Sequence, residues 1–148
     1  MRFAIALKPE VDEMWHQARQ MGLEDAVAIS GTREDLPLWD YRTAALVKKR
    51  YEDFGLDMAV VEGWLPMDNI KRGTPERDAE MEKFLQAIRN LGALDVRVVC
   101  YNWMAFFSWF RTSFTTRARG GALTSSFEGA LVARAPEAEH ERIGREEL

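Results

Sequence analysis

The sequence predicts an α/β fold, a parallel sheet of about four strands joined by helical crossovers. Three observations predict it. Short apolar runs recur at Phe3 to Leu7, Ala26 to Ile29, Met58 to Glu62 and Val96 to Tyr101. Stretches with helical spacing lie between them, most clearly Met81, Phe84, Leu85, Ile88 and Leu91. The runs are continuously apolar, as expected of parallel strands covered on both faces.

Each element has local reasons. Pro9 breaks the first strand and suits the opening of a helix, where its missing N–H costs nothing. From Val11, the positions Met14, Trp15, Ala18 and Met21 follow a helical stripe that Gly22 ends. The second strand ends at Ser30-Gly31, and a polar loop with Pro37 and Trp39 follows. Asp40 suits the N-cap of a helix from Tyr41 to Phe54, which Gly55 terminates. The third strand ends in Glu62-Gly63-Trp64, and a long connection runs to Gly73. Thr74 and Pro75 have the chemistry of a cap and a first helical position, and Gly92 closes that helix. The fourth strand ends in Cys100-Tyr101-Asn102-Trp103.

After Trp103 the pattern changes. Phe106, Phe107, Trp109 and Phe110 crowd together, and two β-prone stretches then flank Arg119-Gly120-Gly121. These predict a β-hairpin inserted after the fourth strand, at about residues 111–133. A charged tail covers 136–148, and its last residues resemble the first turn of a helix. The whole, 1–148, reads as a single N-terminal portion of one domain.

Composition narrows the function. At 148 residues, 47% apolar and 30% charged, the chain can bury a real core. A net charge of −4 argues against a nucleic-acid partner. Cys100 is the sole cysteine, so no internal disulfide framework exists, which fits a reducing compartment. The N-terminal apolar run is too short for a signal-peptide core or a membrane span, so a cytoplasmic protein with no membrane partner is expected. His16 and His140 are the only histidines. That leaves little material for a self-contained transition-metal site.

Four strands with three crossovers make half of an eight-stranded α/β barrel, or most of a flavodoxin-like open sheet. Long aromatic loops after strands three and four, and a final helix that begins without length, favour a partial barrel of about four βα units. Its first and fourth strands would be open edges that invite pairing, so a homo-oligomer is expected.

Several segments carry a family resemblance. They are Tyr51-Glu52-Asp53-Phe54-Gly55-Leu56, Val61-Glu62-Gly63-Trp64, Asp68-Asn69-Ile70-Lys71-Arg72-Gly73, Ile88-Arg89-Asn90-Leu91-Gly92-Ala93, Val99-Cys100-Tyr101-Asn102-Trp103-Met104 and Trp109-Phe110-Arg111-Thr112. With the turn Arg119-Gly120-Gly121-Ala122, this series resembles mannonate dehydratase through nearly the whole chain. The resemblance implies a half TIM barrel of the xylose-isomerase-like group. It implies dehydration of D-mannonate to 2-keto-3-deoxy-D-gluconate in hexuronate (glucuronate) breakdown, with Mn²⁺ or Fe²⁺ in the complete enzyme. It further implies metal ligands in later strands, within segments such as His-Pro-Asp-Asp, Cys-x-Gly-Ser and Asp-His-Gly-Arg. None of these segments occurs in this sequence. No metal is therefore expected to bind this chain alone, and no catalytic residue is assigned.

Six residues are candidates for substrate binding. Glu62 and Asn102 stand at the ends of strands, where α/β barrels place working groups; both could bond sugar hydroxyls. The alternative for Glu62 is a structural ion pair. Arg111 offers a bidentate fork for a sugar acid's carboxylate, and Thr112 a hydroxyl; either could instead organise the hairpin. Trp64 and Trp103 could wall a pocket, although aromatic clusters more often serve packing. Lys71, Arg117 and Arg119 are competing anion contacts. His16, Asp12, Glu13, Glu80 and Glu82 read as solvated helix faces. The alternatives are another sugar isomerase or epimerase of the same group, or a non-catalytic half-barrel that pairs through its edges.

Overall fold

The structure is a computed structural model that describes residues 1–30, 33–103 and 111–132. The chain divides into two compact units, Met1–Trp103 and Met104–Leu148. The crowded aromatics at 106–110, Gly31, His140 and the charged tail lie outside the described residues.

The first unit is a four-stranded parallel sheet with helices between its strands. Its elements are β1 (Ala4–Leu7), α1 (Glu13–Gln20), β2 (Asp25–Ile29), α2 (Tyr41–Asp53), β3 (Asp57–Glu62), α3 (Asp68–Arg72), α4 (Arg77–Ala93) and β4 (Val98–Cys100). The strand order is β1-β2-β3-β4, with every pairing parallel. This order decides between the two architectures. An open flavodoxin-like sheet reverses direction at a switch point, whereas here each crossover steps one strand onward in the same sense.

The helices occupy one face of the sheet. Trp15 of α1 stacks on Tyr51 of α2 with ring centroids 4.4 Å apart, and meets Phe54 edge-on at 5.3 Å. α2 in turn touches α4. Leu7, Ala28, Val61 and Val99 lie side by side in register, and the first three are fully buried in the core. Paired residues of parallel strands point to the same face. The next row, Ala6, Val27, Val60 and Val98, therefore points away from the helices, and Val98 is 48% exposed. The apolar runs led us to expect cover on both faces. Among the described residues, helices cover one.

Side-chain donors pin the helices to the sheet and loops. Three of them reach consecutive carbonyls at the end of β1. Tyr51 donates to Leu7 O at 3.0 Å, Trp15 Nε1 to Lys8 O at 3.2 Å, and Arg50 to Pro9 O at 2.7 Å. These oxygens lie where the chain leaves the sheet, so each would otherwise lack a partner. Burial pushes the Tyr51 hydroxyl well above its ordinary range, so it stays a neutral donor. On the other side, Lys48 of α2 donates to Leu94 O at 2.7 Å, and Asn90 of α4 to Leu38 O at 3.0 Å.

Several boundaries differ from the sequence expectation. α1 begins at Glu13, because Asp12 accepts from Met14 N and is the cap. Asp12 is thus a structural residue and not simply part of a solvated face. Met14 and Met21 are exposed, since the buried Trp15 and Ala18 set which side of the helix turns inward. α4 starts at Arg77, because the Thr74 hydroxyl is held by Asn69 Oδ1 at 2.9 Å and does not cap a helix. The long connection contains the short helix α3. Glu80 ties it to α4 by accepting from Ile70 N at 2.9 Å and Asn69 Nδ2 at 3.2 Å. Glu80 was expected on a solvated face and is instead a brace. Gly92 is internal to α4, and the turn falls on Asp95 at a φ of 62°. On α4, Ala87, Asn90 and Leu91 are buried, while Met81, Leu85 and Ile88 lie at the surface. Asp40 caps α2 as expected, accepting from Thr43 N at 2.8 Å.

The second unit contains an antiparallel hairpin of β5 (Ser113–Arg117) and β6 (Leu123–Ser126), then the single turn α5 (Gly129–Val132). Gly120 and Gly121 adopt positive φ in the connection, at 74° and 81°, which explains the Gly-Gly pair. No helix among the described residues is long and apolar enough to cross a membrane.

An ion cluster closes the amino-terminal end of the sheet. Arg2 Nε donates to Asp25 Oδ2 at 2.7 Å, a second nitrogen reaches Asp25 Oδ1, and the same nitrogen reaches Asp57 Oδ2 at 3.0 Å. Asp25 and Asp57 are register partners, so one cation ties two neighbouring carboxylates. Hydrogen bonding to Arg2 outweighs burial and holds the Asp25 carboxyl below its ordinary value. A lowered folded pKa gives stability that is complete above the unfolded value, about 3.9, and is lost as pH falls through the folded one. Arg2→Ala should therefore be less stable than the parent at neutral pH and lose less stability on acidification from pH 6 to pH 3. Urea unfolding across that range checks it; parallel curves for the two proteins would count against the cluster.

Candidate functional site

The register of the sheet builds the candidate site. One step beyond the row Ala6, Val27, Val60 and Val98 on the same face, Ile29, Glu62 and Cys100 are register partners at the carboxyl ends of β2, β3 and β4. Lys8 follows the Leu7–Ala28 pair and so takes the matching place after β1. This rim combines one carboxylate, one thiol and one ammonium group around an isoleucine. Glu62 is exposed, and among the described residues it makes no ion pair. The structural ion pair considered for it is thus absent there. The Cys100 side chain is exposed at the rim.

The backbone extends this order past the strands. Ser30 N donates to Glu62 O at 3.3 Å, and Gly63 N to Cys100 O at 3.2 Å. Gly63 sits at a φ of 70°, and a Cβ there would lie 3.1 Å from Ser30 O. Only glycine turns the chain away from β3 at that place without strain. Trp64 then dives into the core, where it is fully buried and its indole N–H donates to Leu36 O at 3.2 Å. Its ring supports the rim from beneath and presents no surface of its own. Asn102 is half-buried and Trp103 is 61% exposed, just past β4.

Arg111 and Thr112 belong to the second unit. Arg111 Nε donates to Ser125 Oγ at 3.2 Å. The Thr112 hydroxyl donates to Ser126 O at 3.3 Å and accepts from Glu128 N at 2.9 Å, while Thr112 N donates to Ser126 O at 2.9 Å. Both residues thus fasten the two ends of the hairpin together. Arg117 and Arg119 are exposed on the same unit, and Lys71 approaches Asp68 at 4.0 Å. His16 is exposed, with its ring edge against Phe54 at 5.0 Å. No group of three or more His, Cys, Asp or Glu side chains among the described residues is arranged to hold a metal ion.

Sequence reasoning found Glu62 through its position at a strand end, but passed over Lys8 and Ile29. Only the inter-strand register places them, by pairing Ile29 with Glu62 and setting Lys8 one step past the Leu7–Ala28 pair.

The fold and the rim define a class, the amino-terminal portion of an α/β barrel with polar groups at its strand ends. The family model described as D-mannonate dehydratase (UxuA) matches residues 10–146, and the chain belongs to the mannonate dehydratase family. Similar sequences include the mannonate dehydratase of Thermotoga maritima, 34% identical over 120 residues, which are 78% of this chain and 32% of that one. Another is the Streptococcus suis mannonate dehydratase, 34% identical over 114 residues, or 71% and 31% of the two chains. The crystal structure of mannonate dehydratase from Streptococcus suis serotype 2 superposes with a TM-score of 0.76 at 26% identity. It covers 95% of this chain and 41% of that one. The chain therefore spans about a third of the length of the curated relatives it matches.

Gly63→Ala should destabilise the first unit by about 1–2 kcal/mol, the cost of a left-handed alanine. Urea unfolding measures it; an unchanged midpoint would show that the turn after β3 relaxes freely.

Proposed function

We propose that this chain forms one wall of a sugar-acid pocket, as the amino-terminal portion of a mannonate dehydratase barrel. The observation that carries the reading is the row Ile29, Glu62 and Cys100 at the carboxyl ends of the strands, on the face away from the helices, in a member of this family. Barrel enzymes work at that end of the sheet. In this reading residues 1–148 are one portion of the barrel domain, with the hairpin at about 111–133 as an insertion and 136–148 as a charged tail. The protein acts in the cytoplasm, without nucleic-acid or membrane partners.

Each candidate then has a task. Glu62 accepts hydrogen bonds from hydroxyl groups of D-mannonate, and Asn102 both donates and accepts. Arg111, on the second unit, carries the fork that suits a sugar acid's carboxylate, with Thr112 fixing the segment that bears it. Trp103 walls the pocket, and Trp64 holds the rim in place from below. The reaction removes a proton from C2 and the hydroxyl from C3 as water, giving an enol that tautomerises to 2-keto-3-deoxy-D-gluconate. It needs a base at C2 and acid assistance at C3. In the complete enzyme Mn²⁺ or Fe²⁺ would polarise oxygen. The described residues do not fit such an ion, so the tasks assigned to this chain are binding and orientation. The base and the metal ligands belong to the remainder of a barrel.

Two measurements test this. The purified chain, given D-mannonate and Mn²⁺, should show no dehydration; clear turnover would refute the division of labour. D-mannonate should still perturb the NMR signals of Glu62 and Asn102, and Glu62→Gln should weaken that binding roughly tenfold, the value of one charged hydrogen bond. Equal affinity in the variant would remove Glu62 from the pocket.

A further inference from the structure

We propose that Lys8 binds the carboxylate of the sugar acid and so sets the direction in which the substrate lies along the rim, acid end over β1 and hydroxyls over β3; this rests on the pocket reading above. Lys8 stands one step past the Leu7–Ala28 pair, and its neighbour fixes which way it points. A residue before proline is confined to extended backbone, so Pro9 keeps the chain straight for one residue beyond β1. The alternation of the strand therefore continues: Leu7 is buried, Lys8 exposed and Pro9 buried. That puts Lys8 on the face of Ala6, where Glu62 and Cys100 follow Val60 and Val98. The backbone is held on both sides of it. Tyr51 binds Leu7 O, Trp15 binds Lys8 O itself, and Arg50 binds Pro9 O. A long cationic side chain thus rises from an anchored Cα.

Charge singles out Lys8. The described cations in the connections after β2 and β3 are engaged. Arg33 is shared by Glu10 and Asp35, Lys71 lies 4.0 Å from Asp68, and Arg72 donates to Asp68 O at 3.2 Å. Glu10, the acid nearest Lys8 in sequence, is thereby taken by Arg33. Among the described residues the Lys8 ammonium makes no ion pair or hydrogen bond. Arg111 stands on the second unit, where its Nε donates to Ser125. In the row of Lys8, Ile29, Glu62 and Cys100, Lys8 is the one cation and Glu62 the one carboxylate. Neighbouring strands lie about 4.8 Å apart, so Lys8 and Glu62 stand about 10 Å apart with Ile29 between them. A hexonate carries its charge at one end and hydroxyl groups along the rest. Laid across Ile29, it brings its carboxylate to the ammonium and its hydroxyls to Glu62. The reverse direction sets two carboxylates against each other and leaves the ammonium unmatched.

NMR titrations of the 148-residue chain with D-mannonate and with D-mannitol, the hexitol that lacks the carboxylate, test the assignment. The Lys8 side-chain methylene signal, identified by its loss in Lys8→Met, should move with D-mannonate and stay in place with D-mannitol. Lys8→Met should weaken D-mannonate roughly tenfold and leave D-mannitol unchanged. Lys8→Arg, which keeps the charge, should lose far less. Glu62→Gln should weaken both ligands alike, because it meets hydroxyls that both carry. If the parent binds D-mannonate and Lys8→Met binds it equally, or loses both ligands to the same degree, Lys8 is not the carboxylate contact and the pocket reading stands without it. A parent that does not bind D-mannonate overturns the pocket reading, and the role of Lys8 falls with it.

Discussion

One constraint governs this molecule: among the described residues, helices cover its parallel sheet on a single face. The constraint follows from strand order, because crossovers that always step the same way place every helix on the same side. It separates the strand residues into two sets with different fates. Leu7, Ala28 and Val61 join the core with Trp15, Tyr51 and Leu91. Ala6, Val27, Val60 and Val98 face the other way. Hydrophobic burial on the first side holds the unit together. The second side is left with an apolar floor and a polar rim, and the candidate pocket follows from it.

Hydrogen bonds decide how firmly that arrangement is held. The β1 end depends on Tyr51, Trp15 and Arg50, which satisfy three consecutive carbonyls as the chain leaves the sheet. These donors come from both α1 and α2, so the two helices and the first strand are fixed as one body. Asn90 and Lys48 do the same on the far side, binding the loop before α2 to α4, and α2 to the turn after α4. The rim inherits its rigidity from these contacts. Glu62 is exposed, but the strand beneath it is central and the turn after it is fixed by Gly63 and Trp64.

Much of the fold was legible in the sequence. The four strands, the Asp40 cap, the crossover helices and the hairpin follow from apolar runs, capping chemistry and a Gly-Gly turn. Where expectation failed, tertiary contacts overrode local chemistry. Thr74 had the right residue type for a cap, but Asn69 captured its hydroxyl. Met14 and Met21 lay on a helical stripe, but the bulk of Trp15 set the inward side. Continuous apolar strands suggested cover on both faces because Ala6, Val27, Val60 and Val98 are as apolar as the row that packs under the helices, so composition does not tell the two faces apart. The site was legible only in part. Glu62 announced itself as a charge after an apolar run, whereas Lys8 and Ile29 needed the inter-strand register, which no single strand contains. The packing role of Trp64 likewise required knowing that Leu36 O lies beside its ring nitrogen.

The central claim is the difference between the two faces, and one paired substitution tests it. Val61→Thr and Val98→Thr make the same chemical change on opposite faces, and each is compared with the parent by urea unfolding. Val61 is fully buried against the helices, so an unpartnered hydroxyl there should cost about 1–3 kcal/mol. Val98→Thr should fall within about 0.5 kcal/mol of the parent, as exposed substitutions do. Equal and large losses at both positions would contradict the one-sided architecture.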